Sequence, residues 1–152
     1  MSWSYAMITA FLLAFSVAAA PAPAAAGPRV ADDRATKDDY DLDTGGTART
    51  IKIGKDGTFS LVVRAKNGKK VHAEAPLEVV FKDPKGVKPA KAKLGRGDVV
   101  DKAAASPELR TTLRGEKAGA TTLEASVSFF LCTDSWCQRM SDKIAVPITV
   151  EP

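Results

Sequence analysis

The sequence contains few of the residues that usually build a metal centre or a hydrolytic active site. Its only histidine is His72, and its only cysteines are Cys132 and Cys137. A structural zinc site usually needs four protein ligands, so these three residues are one ligand short of such a site. No arrangement of serine, histidine and aspartate supports a catalytic triad, and no glycine-rich phosphate loop stands between a strand and a helix. We therefore expect no bound metal or cofactor.

Aromatic residues and clustered charges are also scarce. Phe, Trp and Tyr make up 7% of the chain, and its 22 basic and 18 acidic residues are scattered to give a net charge of +4. Proteins that bind nucleic acids normally gather lysine and arginine on one face, together with aromatic platforms. The sequence therefore indicates a slightly basic, solvated surface and no nucleic-acid partner.

Residues 1–26 differ from the rest because they carry no charged side chain. An apolar run from Ala6 to Ala20 is followed by "PAPAAAG", which is typical of a secretory signal peptide cleaved after Ala26. Two prolines end the run before it is long enough to span a membrane. We expect export to the periplasm or the cell exterior, with no membrane insertion after cleavage.

The segment that follows, residues 27–47, is polar, charged and poor in apolar side chains. Such a composition buries too little surface to offset the entropy that is lost on ordering. We predict a disordered linker over residues 27–47 and one folded domain over residues 48–152.

From residue 48 onward, apolar residues alternate with polar ones, as in strands with one buried face. The strongest sets are Phe59, Leu61, Val63 and Ala65; Leu77, Val79 and Phe81; Leu123 to Leu131; and Ile144 to Val150, with weaker candidates at 49–53, 99–103 and 109–114. Turn residues separate these segments, and Asn67-Gly68 is a strong hairpin signal. About seven short strands without a helical period predict an immunoglobulin-like antiparallel β-sandwich.

The last two strands have a register that can be predicted. If Cys132 lies opposite Cys137, Leu123 falls opposite Val146 on the apolar face, whereas a slip of one residue would move one apolar set to the wrong face. The two cysteines then lie on the outward face with Phe130, because successive side chains alternate between faces. An exported protein occupies an oxidising compartment, so we expect a Cys132–Cys137 disulfide.

The predicted disulfide closes the four-residue loop "TDSW". So short a loop removes little entropy from the unfolded chain, and the stabilisation should be modest. An outward bridge at a hairpin end is easy for a partner thiolate to reach, but secreted hairpins also carry inert disulfides. The residues alone leave both roles open.

The segments "RAKNGKKVHAEAPLEVVF", "GEKAGATTLEA" and "SVSFFLCTDSWCQRMSDKIAVPITV" resemble the N-terminal periplasmic domain of bacterial thiol–disulfide interchange protein D and its stand-alone relatives. The resemblance covers roughly residues 50–150, although the cysteine spacing is one residue shorter here. It implies an immunoglobulin-like fold in which Cys132 and Cys137 are a catalytic redox pair. It also implies a thioredoxin-like periplasmic protein or a membrane thiol reductase as partner, and no cofactor.

Three functions remain open on these grounds. The first is thiol–disulfide exchange or electron relay by a monomer, with a possible docking patch around the cysteines formed by Phe130, Asp134, Trp136 and Arg139. Trp136 could instead fold onto the end of the core, as large aromatic residues usually do. The second is a non-catalytic binding or structural module with a hairpin-closing disulfide. The third is a metal carrier that uses the thiolates and His72, because these donors suit copper and zinc.

Overall fold

A computed structural model describes residues 34–152 of the chain. These residues form ten strands and two short 3-10 turns, at Lys37–Asp39 and Arg96–Asp98. The strands are β1 (Tyr40–Asp43), β2 (Thr50–Lys52), β3 (Asp56–Ala65), β4 (Lys70–Val71), β5 (Glu78–Lys82), β6 (Val87–Pro89), β7 (Lys93–Leu94), β8 (Glu108–Gly115), β9 (Gly119–Cys132) and β10 (Cys137–Glu151). In the described part of the chain, no helix is long and apolar enough to cross a membrane.

The strands form two sheets, which confirms the predicted all-β, immunoglobulin-like sandwich. One sheet has the order β1-β3-β8-β6, and the other has the order β2-β10-β9-β5-β7, with β4 also pairing with β9. Neighbouring strands are antiparallel except for β2 and β10, which are parallel. The structure has more strands than the sequence predicted because the additional ones are only two to four residues long, too short to show alternation.

The core lies between the two sheets and comes from the alternating sets that the sequence predicted. Phe59 of β3 meets Phe81 of β5 edge to face, with ring centroids 4.9 Å apart. Tyr40 of β1 meets Phe129 of β9 in the same way at 5.0 Å. The largest fully buried side chains are Phe59, Phe129, Leu61, Leu77, Leu94, Leu109, Leu113, Leu123, Leu131, Ile148, Val63 and Val79.

The predicted register of the last two strands is confirmed. Strands β9 and β10 pair over fourteen residues each, with Leu123 opposite Val146, Ala125 opposite Ile144 and Cys132 opposite Cys137. Most residues on the inner face of the ladder are therefore apolar, with the polar Gln138 and Asp142 among them near the hairpin end, and the cysteines close that end. This ladder carries the candidate site.

The linker prediction is wrong for its C-terminal part, because Tyr40–Asp43 forms strand β1 beside β3. Tyr40 is only 4% exposed. Its burial supplies an apolar contact that the acidic composition of this stretch does not suggest. Asp39 is buried as well, where it accepts hydrogen bonds from Asn67 and Lys69. The predicted signal peptide and residues 27–33 of the linker lie outside the described residues.

Two further sequence predictions need correction. The candidate strand at 99–103 is absent, and only an isolated bridge joins Val99 to Leu109, because most of that segment is exposed. Asn67 and Gly68 do adopt the positive φ angles of a tight turn, 55° and 74°. However, the turn does not close a hairpin, because it leads from β3 in one sheet to β4 in the other, where β4 pairs with β9.

Candidate functional site

The disulfide lies at the hairpin end of the β9–β10 ladder, beside the loop that joins the two strands. Cys132 and Cys137 are bonded, and their Cα atoms are 4.0 Å apart. Cys132 is buried, with 9% of its surface exposed, whereas Cys137 is exposed to solvent. Neither cysteine belongs to the hydrophobic cluster between the sheets. The predicted disulfide is therefore confirmed, and its two sulfur atoms differ in their access to solvent.

The loop that joins the cysteines is ordered by its own hydrogen bonds. The Thr133 N–H donates to the Trp136 carbonyl at 2.8 Å. The Thr133 hydroxyl accepts N–H groups from Ser135 and Trp136, each at 3.3 Å. Since Trp136 also packs against the core, the hairpin has several restraints besides the disulfide.

Three strands place side chains around the disulfide. Lys70 of β4 lies directly opposite Cys132 of β9, which lies opposite Cys137 of β10. In the next row of the same face, the His72 N–H donates to the Phe130 carbonyl at 3.0 Å, and Phe130 lies opposite Arg139. Opposed residues of a sheet point to the same face, so these six side chains surround one patch of surface.

His72 lies close to the sulfur atoms of both cysteines. One of its ring nitrogens and the two sulfur atoms all lie within 4.8 Å of one another. Its Nδ1 accepts the backbone N–H groups of Glu74 at 3.1 Å and Ala75 at 2.9 Å. The imidazole is half-buried, and these bonds hold its Nδ1 edge toward the backbone of its own loop.

Arg96, from the 3-10 turn Arg96–Asp98, fastens the loop that carries His72. Its Nε donates to the Ala75 carbonyl at 2.8 Å, and its terminal guanidinium nitrogen donates to the His72 carbonyl. Burial lowers the pKa of Arg96 from its ordinary value. Nothing in the sequence predicts this contact, because "RGD" is typical of an ordinary turn and Arg96 lies 24 residues from His72.

The two cysteines and His72 form a set of candidate metal ligands. The reduced cysteines and His72 would supply two thiolates and one imidazole, which suit a thiophilic ion. However, the Nδ1 lone pair of His72 already accepts two backbone N–H groups. The ring proton of the neutral imidazole therefore resides on Nε2 and would have to move before that nitrogen could coordinate. This arrangement fits a hydrogen-bond donor better than a metal ligand.

The structure divides the predicted docking patch between two sides of the hairpin. Phe130 and Arg139 share the outward face with the disulfide, whereas Trp136 packs against the core. Asp134 is fully exposed at the loop tip, 4.0 Å from the Lys70 ammonium. An open cavity of about 530 Å³ lies beside Cys137 and is lined by Arg34, Trp136, Cys137 and Gln138.

A larger trough of about 740 Å³ continues from Arg139 along the outward face of the same sheet. Its lining combines three serines of β9 and β10 with apolar and charged residues: Ser126, Ser128, Ser141, Val80, Val127, Lys37, Glu78, Asp142 and Lys143. The trough thus begins at Arg139, two residues after Cys137 on the same strand.

Fold and site together define a disulfide-bonded β-sandwich domain. No protein-family model matches the chain, and no curated protein sequence matches it. Among solved structures, domains 4 and 5 of the S-layer protein SbsC match with a TM-score of 0.41 and 14% identity, over 74% of this chain and 45% of that one. This chain therefore spans less than half of that S-layer chain.

A cohesin module from a family 33 glycoside hydrolase of Clostridium perfringens also matches, with a TM-score of 0.38 and 10% identity. The match covers 74% of this chain and 97% of that module. Both TM-scores lie below 0.5, so neither similarity assigns a family.

Proposed function

We propose that the domain carries out thiol–disulfide exchange through Cys132 and Cys137, as an electron relay for a partner with a thioredoxin-like fold or a membrane thiol reductase. The observation that carries this proposal is the position of the disulfide: it is accessible through Cys137 and lies outside a core that is complete without it. Exposed disulfides with higher potentials are the labile, regulatory or catalytic ones. The resemblance to the interchange protein's periplasmic domain points to the same chemistry.

The difference in exposure suggests the order of the steps. A partner thiolate attacks Sγ of exposed Cys137, which forms a mixed disulfide and releases Cys132 as a thiolate. The partner's second thiolate then attacks the partner's own sulfur in that bond and releases Cys137. The partner's dithiol is oxidised to a disulfide, and the Cys132–Cys137 pair takes up its two electrons. The same steps in reverse would pass two electrons from the reduced cysteine pair to the disulfide of another protein.

The test is the reduction potential of the pair, measured by equilibration with glutathione buffers and trapping of free thiols. A value above about −300 mV, with circular dichroism unchanged on reduction, supports exchange. A lower value, or loss of β-structure on reduction, would make the disulfide a structural element.

A matched pair of single-cysteine variants tests the order of the steps. Cys132→Ser leaves the exposed sulfur, and Cys137→Ser leaves the buried one. The first should react with an aromatic disulfide reagent about tenfold faster, because thiol exchange depends on access as well as on thiolate content. Equal rates would contradict the assignment of Cys137 as the attacked sulfur.

The second candidate is a non-catalytic binding or structural module. The ordered hairpin favours it, because the disulfide joins directly opposed residues at the last rung of a long ladder and Trp136 packs beside it. Such a disulfide would prevent fraying of the ladder end. The potential measurement separates the two functions, since this candidate expects a pair that resists reduction in the folded state.

A further inference from the structure

The hydrogen bonds of His72 fix its chemical role as well as its position. A neutral imidazole has one nitrogen that donates and one that accepts. Because Nδ1 accepts from Glu74 and Ala75, the proton lies on Nε2. His72 therefore presents its Nε2–H as a hydrogen-bond donor near the sulfur atoms.

We propose that the Nε2–H of His72 donates a hydrogen bond to the thiolate that Cys132 becomes when the disulfide opens. This inference rests on the proposed exchange function. When a partner thiolate bonds to Cys137, the electron pair of the broken S–S bond remains on Cys132, and no proton leaves His72. One ring nitrogen of His72 lies within 4.8 Å of both sulfur atoms, and rotation of the Cys132 side chain, which the broken S–S bond permits, brings the released thiolate to the Nε2–H.

The hydrogen bond acts on the leaving group. A sulfur whose thiolate is stabilised has a lower thiol pKa and leaves more readily. Hydrogen bonds to charged groups are roughly twice as strong as neutral ones. Cys132 is the sulfur that most needs such a donor, because at 9% exposure it has little access to water.

Several charged groups also face the cysteine pair, and their effect on the released thiolate must be distinguished from the effect of His72. Lys70 lies opposite Cys132, Arg139 is in the next row on β10, Arg34 lines the cavity beside Cys137, and Asp134 lies at the loop tip. The ammonium of Lys70 is partly offset by Asp134, whose carboxylate lies 4.0 Å away. Lys70→Gln therefore serves as a comparison in which a nearby charge is removed and His72 is retained.

His72→Asn is the matched variant for the loop. Its side-chain oxygen can accept the N–H groups of Glu74 and Ala75 in place of Nδ1, as asparagine commonly does in turns. It is too short to reach the sulfur atoms. His72→Gln places an amide N–H near the position of Nε2 and should restore part of the effect. Comparison of histidine, asparagine and glutamine at position 72 thus distinguishes a role in supporting the loop from a role in donating a hydrogen bond to the thiolate.

The primary measurement is thiolate absorbance against pH in full-length Cys137→Ser, where Cys132 is the only thiol. Adding His72→Asn should raise the apparent pKa of the Cys132 thiol, because one charge-assisted hydrogen bond to the thiolate is lost. At any pH below that pKa, the variant should therefore contain about tenfold less thiolate. With both cysteines present, His72→Asn should slow reduction of the disulfide by glutathione about tenfold, and His72→Gln should recover part of that rate.

Unchanged thiolate titration and reduction rate in His72→Asn, with the wild-type pair still exchanging in the folded state, would overturn the role of His72 and leave the proposed function standing. Loss of β-structure when the wild-type pair is reduced would overturn both. An equal loss of rate in His72→Asn and His72→Gln without any change in the thiolate titration would show a role in loop structure alone and would also overturn the proposal.

Discussion

The hydroxyl of Tyr40 donates a hydrogen bond to the Asp142 carboxylate at 2.8 Å, and so joins β1 in one sheet to β10 in the other. Asp142 also accepts from the ammonium of Lys37 at 3.1 Å. Residues 37–43 are therefore attached to the strand that begins with Cys137. Tyr40 adds apolar contact to this link through Phe129.

Replacement of Tyr40 tests whether this segment belongs to the fold. Tyr40→Ala removes a buried ring and should lower the free energy of unfolding by about 3–5 kcal/mol. Tyr40→Phe keeps the ring, loses one hydrogen bond and should cost about 1 kcal/mol. Urea unfolding followed by circular dichroism measures both. A value near zero for Tyr40→Ala would restore the linker prediction for this segment.

Tyr40 also predicts a loss of stability at alkaline pH. Burial raises the pKa of Tyr40 to about 12, and the hydrogen bond to Asp142 acts in the same direction. An unfolded tyrosine titrates near pH 10, so only the unfolded state loses its phenol proton between about pH 10 and 12. Stability should fall across that interval and fall less in Tyr40→Phe. Parallel pH profiles of the two proteins would contradict this.

Asp39 predicts the opposite dependence in acid. Hydrogen bonds from the Thr36 backbone, Asn67 and Lys69 hold the pKa of this carboxyl well below its usual range. Its contribution is present above about pH 4, where the unfolded carboxyl is ionised, and is lost as the pH falls toward the folded pKa. Asp39→Asn should lower the Tm at pH 7 by several degrees and flatten the acid limb of the stability curve.

Asp41 supplies the control for that experiment. It pairs with Lys66 at 2.9 Å, but both side chains are largely exposed. Exposed ion pairs contribute about 0–1 kcal/mol, so Asp41→Asn should leave the Tm and the acid limb nearly unchanged. Similar effects of the two substitutions would show that net charge, and not the buried contacts of Asp39, sets the acid response.

Gly115 is required by a close approach of two backbones. A Cβ atom there would lie 2.7 Å from the Lys52 carbonyl oxygen and 3.1 Å from a methyl carbon of Val150. Gly115→Ala should therefore cost about 1–3 kcal/mol, as overpacking usually does. Gly97→Ala is the control, because nothing lies within 4 Å of a Cβ at that position, and it should change stability by less than about 0.5 kcal/mol. Thermal unfolding compares the two.

The sequence predicts the ladder well because two independent patterns coincide in it. Apolar alternation on β9 and β10 and the pairing of Cys132 with Cys137 require the same register, and a slip would expose one apolar set. The same alternation predicts the buried faces of β3 and β5, which supply Phe59 and Phe81 to the core.

What the sequence did not predict depends on contacts between distant residues. Tyr40 stands among aspartates, so composition favours a linker, whereas its pairing with Ala65 of β3 and its packing on Phe129 make it part of a strand. The environment of His72 depends on Arg96, which reaches its loop from another turn. Neither contact has a local periodicity from which it could be inferred.

Reduction of the disulfide tests how far the fold depends on the site. The bond joins residues five positions apart, and closing so short a loop stabilises the folded state by about 2 kcal/mol in the chain-entropy model. Reduction, or the double replacement Cys132→Ser with Cys137→Ser, should therefore lower the free energy of unfolding by no more than about that amount. The ladder hydrogen bonds and the core remain in place in both cases, so far-ultraviolet circular dichroism should not change.

Urea unfolding with and without a phosphine reductant measures the contribution of the disulfide to the free energy of unfolding. In the double variant, the reductant should not change that free energy. A loss several times larger would mean that the hairpin end supports the core, and the disulfide would then be structural.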